Sequence, residues 1–259
     1  MKEYKYFDKA KEYLLSFEEI SPEILGKQLN GWSNNKPKTI VGLYKAMLMN
    51  AQNRQGMPNS IGDINNLKDI LFGFNPRKVI KNYSSWDEIF DAIKNSSYKP
   101  PGRMVKSNNK SYWVIYCKSI LSIAEFLHGY KNVKAFNEFV EGFYTNEYSK
   151  VALPLLLKQE IYGFGFALAC DFLKENGYPE FIKPDTHINF IARELGITES
   201  ASDYGIFKDV VSYCERIDKL PYEVDKLFWL VGSGRFYLSD IKIKSSRNEF
   251  IKIINKELK

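Results

Sequence analysis

The segment QEIYGFGFALA occupies residues 159–169, and the segment KPDTHI follows it at residues 183–188. Gly163 and Gly165 interrupt two stretches of helical apolar spacing, at residues 151–161 and 166–174. Glycine permits a positive φ and the close approach of another backbone, so the pair predicts a tight turn between two helices. The N–H groups that open the second helix lack intrahelical partners, an arrangement that suits a phosphate. The sequence therefore predicts two helices joined by a tight turn, with N–H groups at the turn that suit an anion.

The second segment predicts a capped helix. Asp185 follows Pro184 and precedes a helical pattern that Gly196 ends, and Asp is a favoured N-cap residue. Each feature alone has an ordinary explanation, because Gly-x-Gly between helices is usually a turn and Asp after Pro is usually a cap. Only their combination, in this order and at this separation, bears on function.

Helical spacing continues outward from these segments over almost the whole chain. Apolar stripes lie at residues 40–48, 64–71, 86–93, 113–127, 136–143, 204–217, 223–231 and 247–258. Ser21 and Thr39 precede two of the helical patterns as N-cap candidates. No stretch alternates strictly over six residues, so no strand is predicted. About ten or more helices with short connections predict an all-α protein of two closely packed lobes.

Composition excludes several classes of protein. Of the 259 residues, 44% are hydrophobic and 26% are charged, which is typical of a globular chain, and 15% are aromatic, which argues against extensive disorder. A net charge of +6 favours anionic partners only mildly.

Cysteine and histidine usage excludes further classes. Cys117, Cys170 and Cys214 are odd in number and far apart, so neither a disulfide framework nor a metal-binding Cys pair is expected. Two histidines exclude a His-rich metal site. The N-terminal residues carry charges of both signs, and no apolar run approaches the roughly 20 residues of a membrane span. We expect a soluble cytoplasmic protein without a membrane partner.

The two segments together resemble the helix–hairpin–helix DNA glycosylase superfamily, which includes endonuclease III, adenine glycosylase and 8-oxoguanine glycosylase. Its hairpin is close to Leu-Pro-Gly-x-Gly-x-Lys-Thr-Ala and is followed by Val-Asp-Thr-His-Val. Residues 161–169 match the first pattern, and residues 184–188 match the second. Residues 46–52 resemble the family's early helix, and residues 226–232 resemble its closing helix. The resemblance covers roughly residues 40–232.

The resemblance implies a fold and a division of the chain. One helical lobe would comprise residues 1–40 plus 185–259 and carry both termini. A barrel-like lobe would comprise residues 41–184 and end in the helix–hairpin–helix, with a cleft between the lobes.

The resemblance also implies a function, which is excision of a damaged or mispaired base from duplex DNA during base-excision repair. Asp185 would be the catalytic carboxylate, and Gly163, Phe164 and Gly165 would bind the DNA backbone. Gln52 would fill the gap left by the flipped base, although it can equally be a polar helix-end residue. The partner would be lesion-bearing double-stranded DNA, bound by a monomer that is nucleoid-associated in a prokaryote. No cofactor is implied beyond a structural monovalent cation at the hairpin.

The chain departs from the family pattern at positions that bear on mechanism. The Schiff-base lysine position is Ala167, the hairpin Pro is Tyr162, and the Arg five residues after the Asp is Phe190. No Cys follows Cys214, so the four-Cys iron–sulfur loop is absent. These departures predict a monofunctional hydrolase.

Two alternatives stay open. The first is a bifunctional glycosylase and abasic-site lyase, for example on 8-oxoguanine, with Lys183 as a relocated lysine. The second is a non-catalytic helix–hairpin–helix protein that binds DNA or a protein partner. His187 is interpreted as a structural hydrogen-bonding residue, and Gly232-Ser233-Gly234 as a helix C-cap.

Overall fold

The protein is mostly helical, which confirms the predicted all-α class. The computed structural model describes residues 2–258. Its α-helices are α1 (Lys2–Leu15), α2 (Pro22–Leu29), α3 (Ile40–Gln52), α4 (Met57–Ile61), α5 (Pro76–Asn82), α6 (Trp86–Asn95), α7 (Tyr112–His128), α8 (Val133–Glu141), α9 (Glu147–Glu160), α10 (Phe166–Glu175), α11 (Thr186–Glu194), α12 (Asp203–Arg216), α13 (Pro221–Ser233) and α14 (Arg247–Leu258). Two 3-10 turns lie at Gly31–Asn34 and Ile64–Leu67. Within the described residues, no helix has both the length and the apolar character needed to cross a bilayer.

Local capping chemistry explains where several helices begin. Ser21 Oγ accepts a hydrogen bond from the Ile24 N–H (3.2 Å), and Pro22 follows as the first residue of α2. Thr39 Oγ1 accepts from the Gly42 N–H (3.0 Å) at the start of α3. These starts are encoded in the sequence, because each cap needs only residues within one turn.

Two predictions of secondary structure were wrong. Of the stripe at residues 64–71, Ile64–Leu67 forms a 3-10 helix and the rest forms turns, which lead into Phe72, Gly73 and Phe74, all with positive φ. Strands were not predicted, yet β1 (Arg235–Phe236) pairs antiparallel with β2 (Ile241–Lys242). Strands of two residues are too short to show alternation, so the sequence carries no periodic signal for them.

The chain divides into two compact units. The terminal unit joins the residues up to Lys36 with those from Leu173 onward, and the central unit is Pro37–Phe172. The division expected from the sequence placed the boundaries after residues 40 and 184 instead. Residues 173–184 belong with the terminal unit because the Tyr222 N–H donates to the Pro179 carbonyl (2.8 Å) and Lys174 pairs with Asp225. Residues 1 and 259 of the expected division lie outside the described residues.

Each unit is built around one buried helix. In the central unit α7 packs against α3, α4, α5 and α6, and Trp113, Tyr116 and Ile120 are fully buried on it. In the terminal unit α13 packs against α1, α2, α11, α12 and α14, and even its Asp225 and Lys226 are buried. A helix apolar on most sides is stable only when neighbours surround it, so these two helices define the cores.

Candidate functional site

The predicted turn between α9 and α10 exists, and α7 holds it in place. Gly163 has φ of 84°, and a Cβ there would lie 2.6 Å from Ser119 Oγ. The Ser119 hydroxyl donates to the Tyr162 carbonyl (2.8 Å), and Ser122 Oγ accepts from the Tyr162 N–H (2.9 Å). Only glycine combines this backbone conformation with this close approach. The two serines were not predicted; their signal is a pair of hydroxyls one turn apart on a largely apolar helix.

The second glycine differs from its expected role. Gly165 has no positive φ, and a Cβ there would meet nothing within 4 Å. Its carbonyl accepts from the Ala169 N–H (3.0 Å), so it stands at the start of α10. Among the described residues, no hydrogen bond uses the N–H of Gly163 or Gly165. The turn therefore presents open backbone donors at a helix N-terminus, where the helix dipole favours an anion.

Phe164 belongs partly to the core. Its side chain is 4% exposed, and its ring centroid lies 6.4 Å from that of Phe172. Its N–H donates to the Ile161 carbonyl (3.2 Å). The Phe164 ring therefore belongs to the core, and the expected DNA contact of this residue stays a prediction.

A buried carboxylate ties the end of α3 to α10. Asp171 Oδ2 accepts from the side-chain amides of Asn50 (3.1 Å) and Asn53 (3.3 Å). Gln52, between them, donates from Nε2 to the Gly62 carbonyl (2.5 Å) and is half-buried. The amide expected to enter the DNA gap is thus engaged within the central unit.

A cavity of about 520 Å³ adjoins the turn within the central unit. It is lined by Arg54, Asn109, Lys110, Tyr112, Ile115, Tyr162 and Gly163. Sequence reasoning did not single out Arg54, Asn109 or Lys110, because they lie in loops far from the turn along the chain. The cavity brings two cationic side chains and an amide to the backbone of the turn.

Asp185 has the predicted capping role in the terminal unit. Its Oδ1 accepts from the N–H groups of His187 (2.8 Å) and Ile188 (3.1 Å), which fixes the carboxylate at the N-terminus of α11. Both bonds use Oδ1, and the residue is half-exposed. The cap therefore fixes the carboxylate through Oδ1, and Oδ2 takes no part in it.

Asp225 supports the loop that precedes Asp185. Its Oδ2 accepts from the Lys183 N–H (2.6 Å), and the Lys183 carbonyl accepts from the Asp185 N–H (2.7 Å). Asp225 Oδ1 lies 2.6 Å from Lys174 Nζ, and both side chains are almost fully buried. Burial raises the pKa of Asp225, and the Lys174 ammonium acts against that rise. This buried pair was not predicted, since nothing local marks two charges 51 residues apart.

His187 packs rather than hydrogen-bonds through its side chain. A Cβ on Gly232 would lie 2.2 Å from His187 Nδ1, and this nitrogen is buried without a hydrogen-bond partner. Burial lowers the pKa of His187 below its ordinary value, Asp185 acts in the opposite direction, and Arg247 lowers it further. The hydrogen bond expected of His187 is not formed at Nδ1, which packs on Gly232 instead, and the C-cap of α13 is Gly234 with φ of 64°.

Arg247 supplies a cation beside α11 that the sequence pattern lacked. Its guanidinium carbon lies 4.4 Å from the centroid of the Phe190 ring, and Nη1 donates to the Thr186 carbonyl (2.8 Å). The arginine at the first residue of α14 therefore reaches the first turn of α11 and stacks on the Phe190 ring.

Lys183, the expected relocated lysine, and the two lysines nearest to Ala167 along the chain have distinct environments. Lys158 is exposed at the end of α9, and Lys174 is 3% exposed and ion-paired with Asp225 and Glu175. Lys183 is half-buried, and its backbone is fixed by Asp225. Ala167 has no amine, so the bifunctional alternative depends on Lys183.

Metal-binding features are sparse. Within residues 2–258, no group of three or more His, Cys, Asp or Glu side chains is arranged to hold a metal ion. Cys117, Cys170 and Cys214 are buried, and burial raises the pKa of the Cys117 and Cys214 thiols. The expected monovalent cation at the hairpin stays a prediction.

Comparison with known proteins identifies no family for this chain. No family model, no curated protein and no solved structure matches the chain.

Proposed function

We propose that the chain is a DNA glycosylase that removes a damaged or mispaired base from duplex DNA by hydrolysing the N-glycosidic bond. The observation that carries the proposal is the Asp185 carboxylate, which is half-exposed and is held through Oδ1 alone by two N–H groups of α11. A charge held this way is preorganised, because neither the cap nor the loop behind it needs to rearrange during reaction.

The proposed chemistry matches what one fixed carboxylate can do. Cleavage of the bond between base and sugar develops positive charge at C1′, and a nearby carboxylate stabilises that charge. The bonding electrons leave with the base, and water adds its oxygen to C1′ and gives a proton to Asp185. Asp185 then returns this proton to solvent, from which the departed base takes up one proton. The base must leave the helical stack to reach the protein. The products are a free base and an intact abasic strand, and no cofactor is needed.

The turn at Gly163 to Gly165 is proposed to hold the DNA backbone. Its open N–H groups at the start of α10 support this role, since phosphate oxygens are the acceptors that such donors bind. Gln52 is proposed to fill the vacated position in the duplex. It would exchange its bond to the Gly62 carbonyl for one to the unpaired base.

We propose hydrolysis without lyase activity, acting as a monomer in the cytoplasm on lesion-bearing duplex DNA. Ala167 lacks the amine that a Schiff base requires, and Lys174 is buried in ion pairs with Asp225 and Glu175. Borohydride trapping on abasic DNA tests this choice. An adduct that forms with the parent and disappears in Lys183→Gln would establish the lyase alternative.

Base release from a panel of damaged duplexes, read as strand breaks after mild alkali, tests the main proposal. Asp185→Asn keeps an oxygen for the cap and removes the charge, so we expect base release to fall at least about a hundredfold. Asp63→Asn is the matched control, because Asp63 also caps a turn through Oδ1, with the Asn65 N–H at 2.9 Å. Full activity in Asp185→Asn would refute the mechanism.

A second candidate is a non-catalytic DNA-binding protein, and the turn with its adjoining cationic cavity favours it. Those features suffice for backbone binding and do not involve Asp185. Duplex binding by the parent without base release from any lesion in the panel would select this candidate.

A further inference from the structure

The cavity beside the turn has the size of a ligand site. Its volume of about 520 Å³ lies in the range of about 300–1,000 Å³ that is usual for small-molecule pockets. Its walls come from the loop after α3, the loop before α7 and the turn before α10. Three separate parts of the central unit thus converge on it.

The charges around the cavity are of one sign. Arg54 and Lys110 line it, and none of the described residues in its lining carries a negative charge. Lys118 does not line the cavity, but its Nζ lies 5.3 Å from the centroid of the Tyr162 ring, which does. A concave site lined by one sign of charge concentrates its potential and attracts the opposite charge.

Hydrogen bonds fix the loop that carries Arg54. The Tyr112 hydroxyl donates to the Gln55 carbonyl (3.0 Å), and the Met57 N–H donates to the Arg54 carbonyl (3.0 Å). Gly56 has φ of 79°, and a Cβ there would lie 2.6 Å from the Tyr112 hydroxyl oxygen. The loop after α3 is therefore closely packed on the start of α7.

A second built turn carries Lys110. The Lys110 N–H donates to Asn108 Oδ1 (2.9 Å), and the Ser111 N–H donates to the Asn108 carbonyl (2.8 Å). Asn109 stands next to Lys110 in this turn and offers both donors and an acceptor. The cationic residues thus project from ordered backbone, which lowers the entropy cost of binding.

We propose that this cavity binds a phosphate group, with Arg54 and Lys110 supplying the charge and Asn109 and the Gly163 backbone supplying hydrogen-bond donors. Arginine presents a planar fork that matches phosphate oxygens, and lysine adds a point charge. The exposed Tyr162 ring provides an apolar wall for the attached sugar. The inference rests on the proposed function, because the phosphate would belong to a DNA strand held at the turn. A small phosphate monoester offers the same chemistry.

Duplex binding at several salt concentrations tests the inference. Each phosphate contact contributes about 0.9 to the slope of log affinity against log salt. We expect Arg54→Gln and Lys110→Gln each to lower that slope by about this amount, so the loss of affinity relative to the parent is greatest at low salt and shrinks about eightfold over a tenfold rise in salt. The loss is the same for damaged and undamaged duplexes, because a backbone contact carries no sequence information.

Lys134→Gln is the matched control. It removes one charge from an exposed lysine of the central unit that does not line the cavity and pairs with Glu138 at 3.7 Å. We expect its slope to equal that of the parent. An equal loss in Lys134→Gln and in the cavity variants would refute the inference, since net charge alone would then explain the binding.

Thermal unfolding with inorganic phosphate or a deoxynucleoside monophosphate separates the two sources of phosphate. Stabilisation that is lost in Arg54→Gln, with an unchanged duplex slope, assigns the cavity to a monoester. A loss of slope without stabilisation by the monoester assigns it to a DNA strand. The inference is wrong if the cavity variants change neither measurement.

Base release is measured on the same variants so that the two proposals fail separately. A parent that binds duplex through the cavity and releases no base refutes the glycosylase and leaves the phosphate site. A parent that releases base with an unchanged slope in both cavity variants, and that phosphate does not stabilise, refutes the phosphate site alone.

Discussion

Replacing Asp225 with Asn isolates the buried ion pair of the terminal unit. The substitution keeps the shape of the side chain and one acceptor for the Lys183 N–H, but removes the negative charge. Lys174 and Lys226 are each 3% exposed, so both ammonium groups remain buried in the variant. The perturbation therefore tests whether the core of this unit depends on that carboxylate.

The expected cost follows from the remaining partners. Breaking a buried ion pair by removing one partner costs about 3–5 kcal/mol. Glu175 Oε1 stays 3.1 Å from Lys174 Nζ and 2.7 Å from Lys226 Nζ, and its side chain is 26% exposed. The carboxylate that contacts both ammonium groups would then be the partly exposed Glu175 rather than the buried Asp225, so we expect a loss of about 3 kcal/mol in the free energy of unfolding. That is a large share of the roughly 5–15 kcal/mol that stabilises a typical domain.

Urea unfolding followed by far-ultraviolet circular dichroism measures this loss for the parent, Asp225→Asn, Lys174→Met and the double variant. The double variant should lose less than the sum of the single losses, because removing both partners leaves neither charge of the pair buried alone. A cost below about 1 kcal/mol for Asp225→Asn, or additivity within about 0.5 kcal/mol, would refute the reasoning.

Three further predictions concern the turn and the surroundings of α11. Gly163→Ala should cost at least about 1 kcal/mol in urea unfolding, because of the positive φ and the contact with Ser119, whereas Gly165→Ala should change stability by less than about 1 kcal/mol. The pKa of His187 in the folded protein lies below its ordinary 6.5, so the unfolded chain binds the proton more tightly. The free energy of unfolding of the parent should therefore fall as pH falls below 6.5. The decrease over the same pH interval should be smaller in His187→Gln. Arg247→Gln should raise the pKa of His187 in an NMR titration, because Arg247 lowers it; an unchanged value would contradict the observed placement of the guanidinium.

The helices and the capped carboxylate could be predicted because their causes are local. The predicted helix at 247–258 coincides with α14, and the predicted cap at Asp185 opens α11. Capping connects residues two or three apart, and apolar spacing repeats within a turn, so a single window of sequence contains the whole signal. The tight turn at Gly163 was predictable for the same reason, whereas the open environment of Gly165 was not.

The sequence by itself determined the helical class, the cap at Asp185 and the turn at Gly163. Only the tertiary structure decided which distant residues lie together. Arg247 contacts the Thr186 carbonyl in the first turn of α11, 61 residues away, and Arg54 and Lys110 line one cavity. The physical reason is that a contact between distant residues depends on how every intervening helix packs. Packing follows from the whole core, whereas a cap or a turn depends only on the residues that form it.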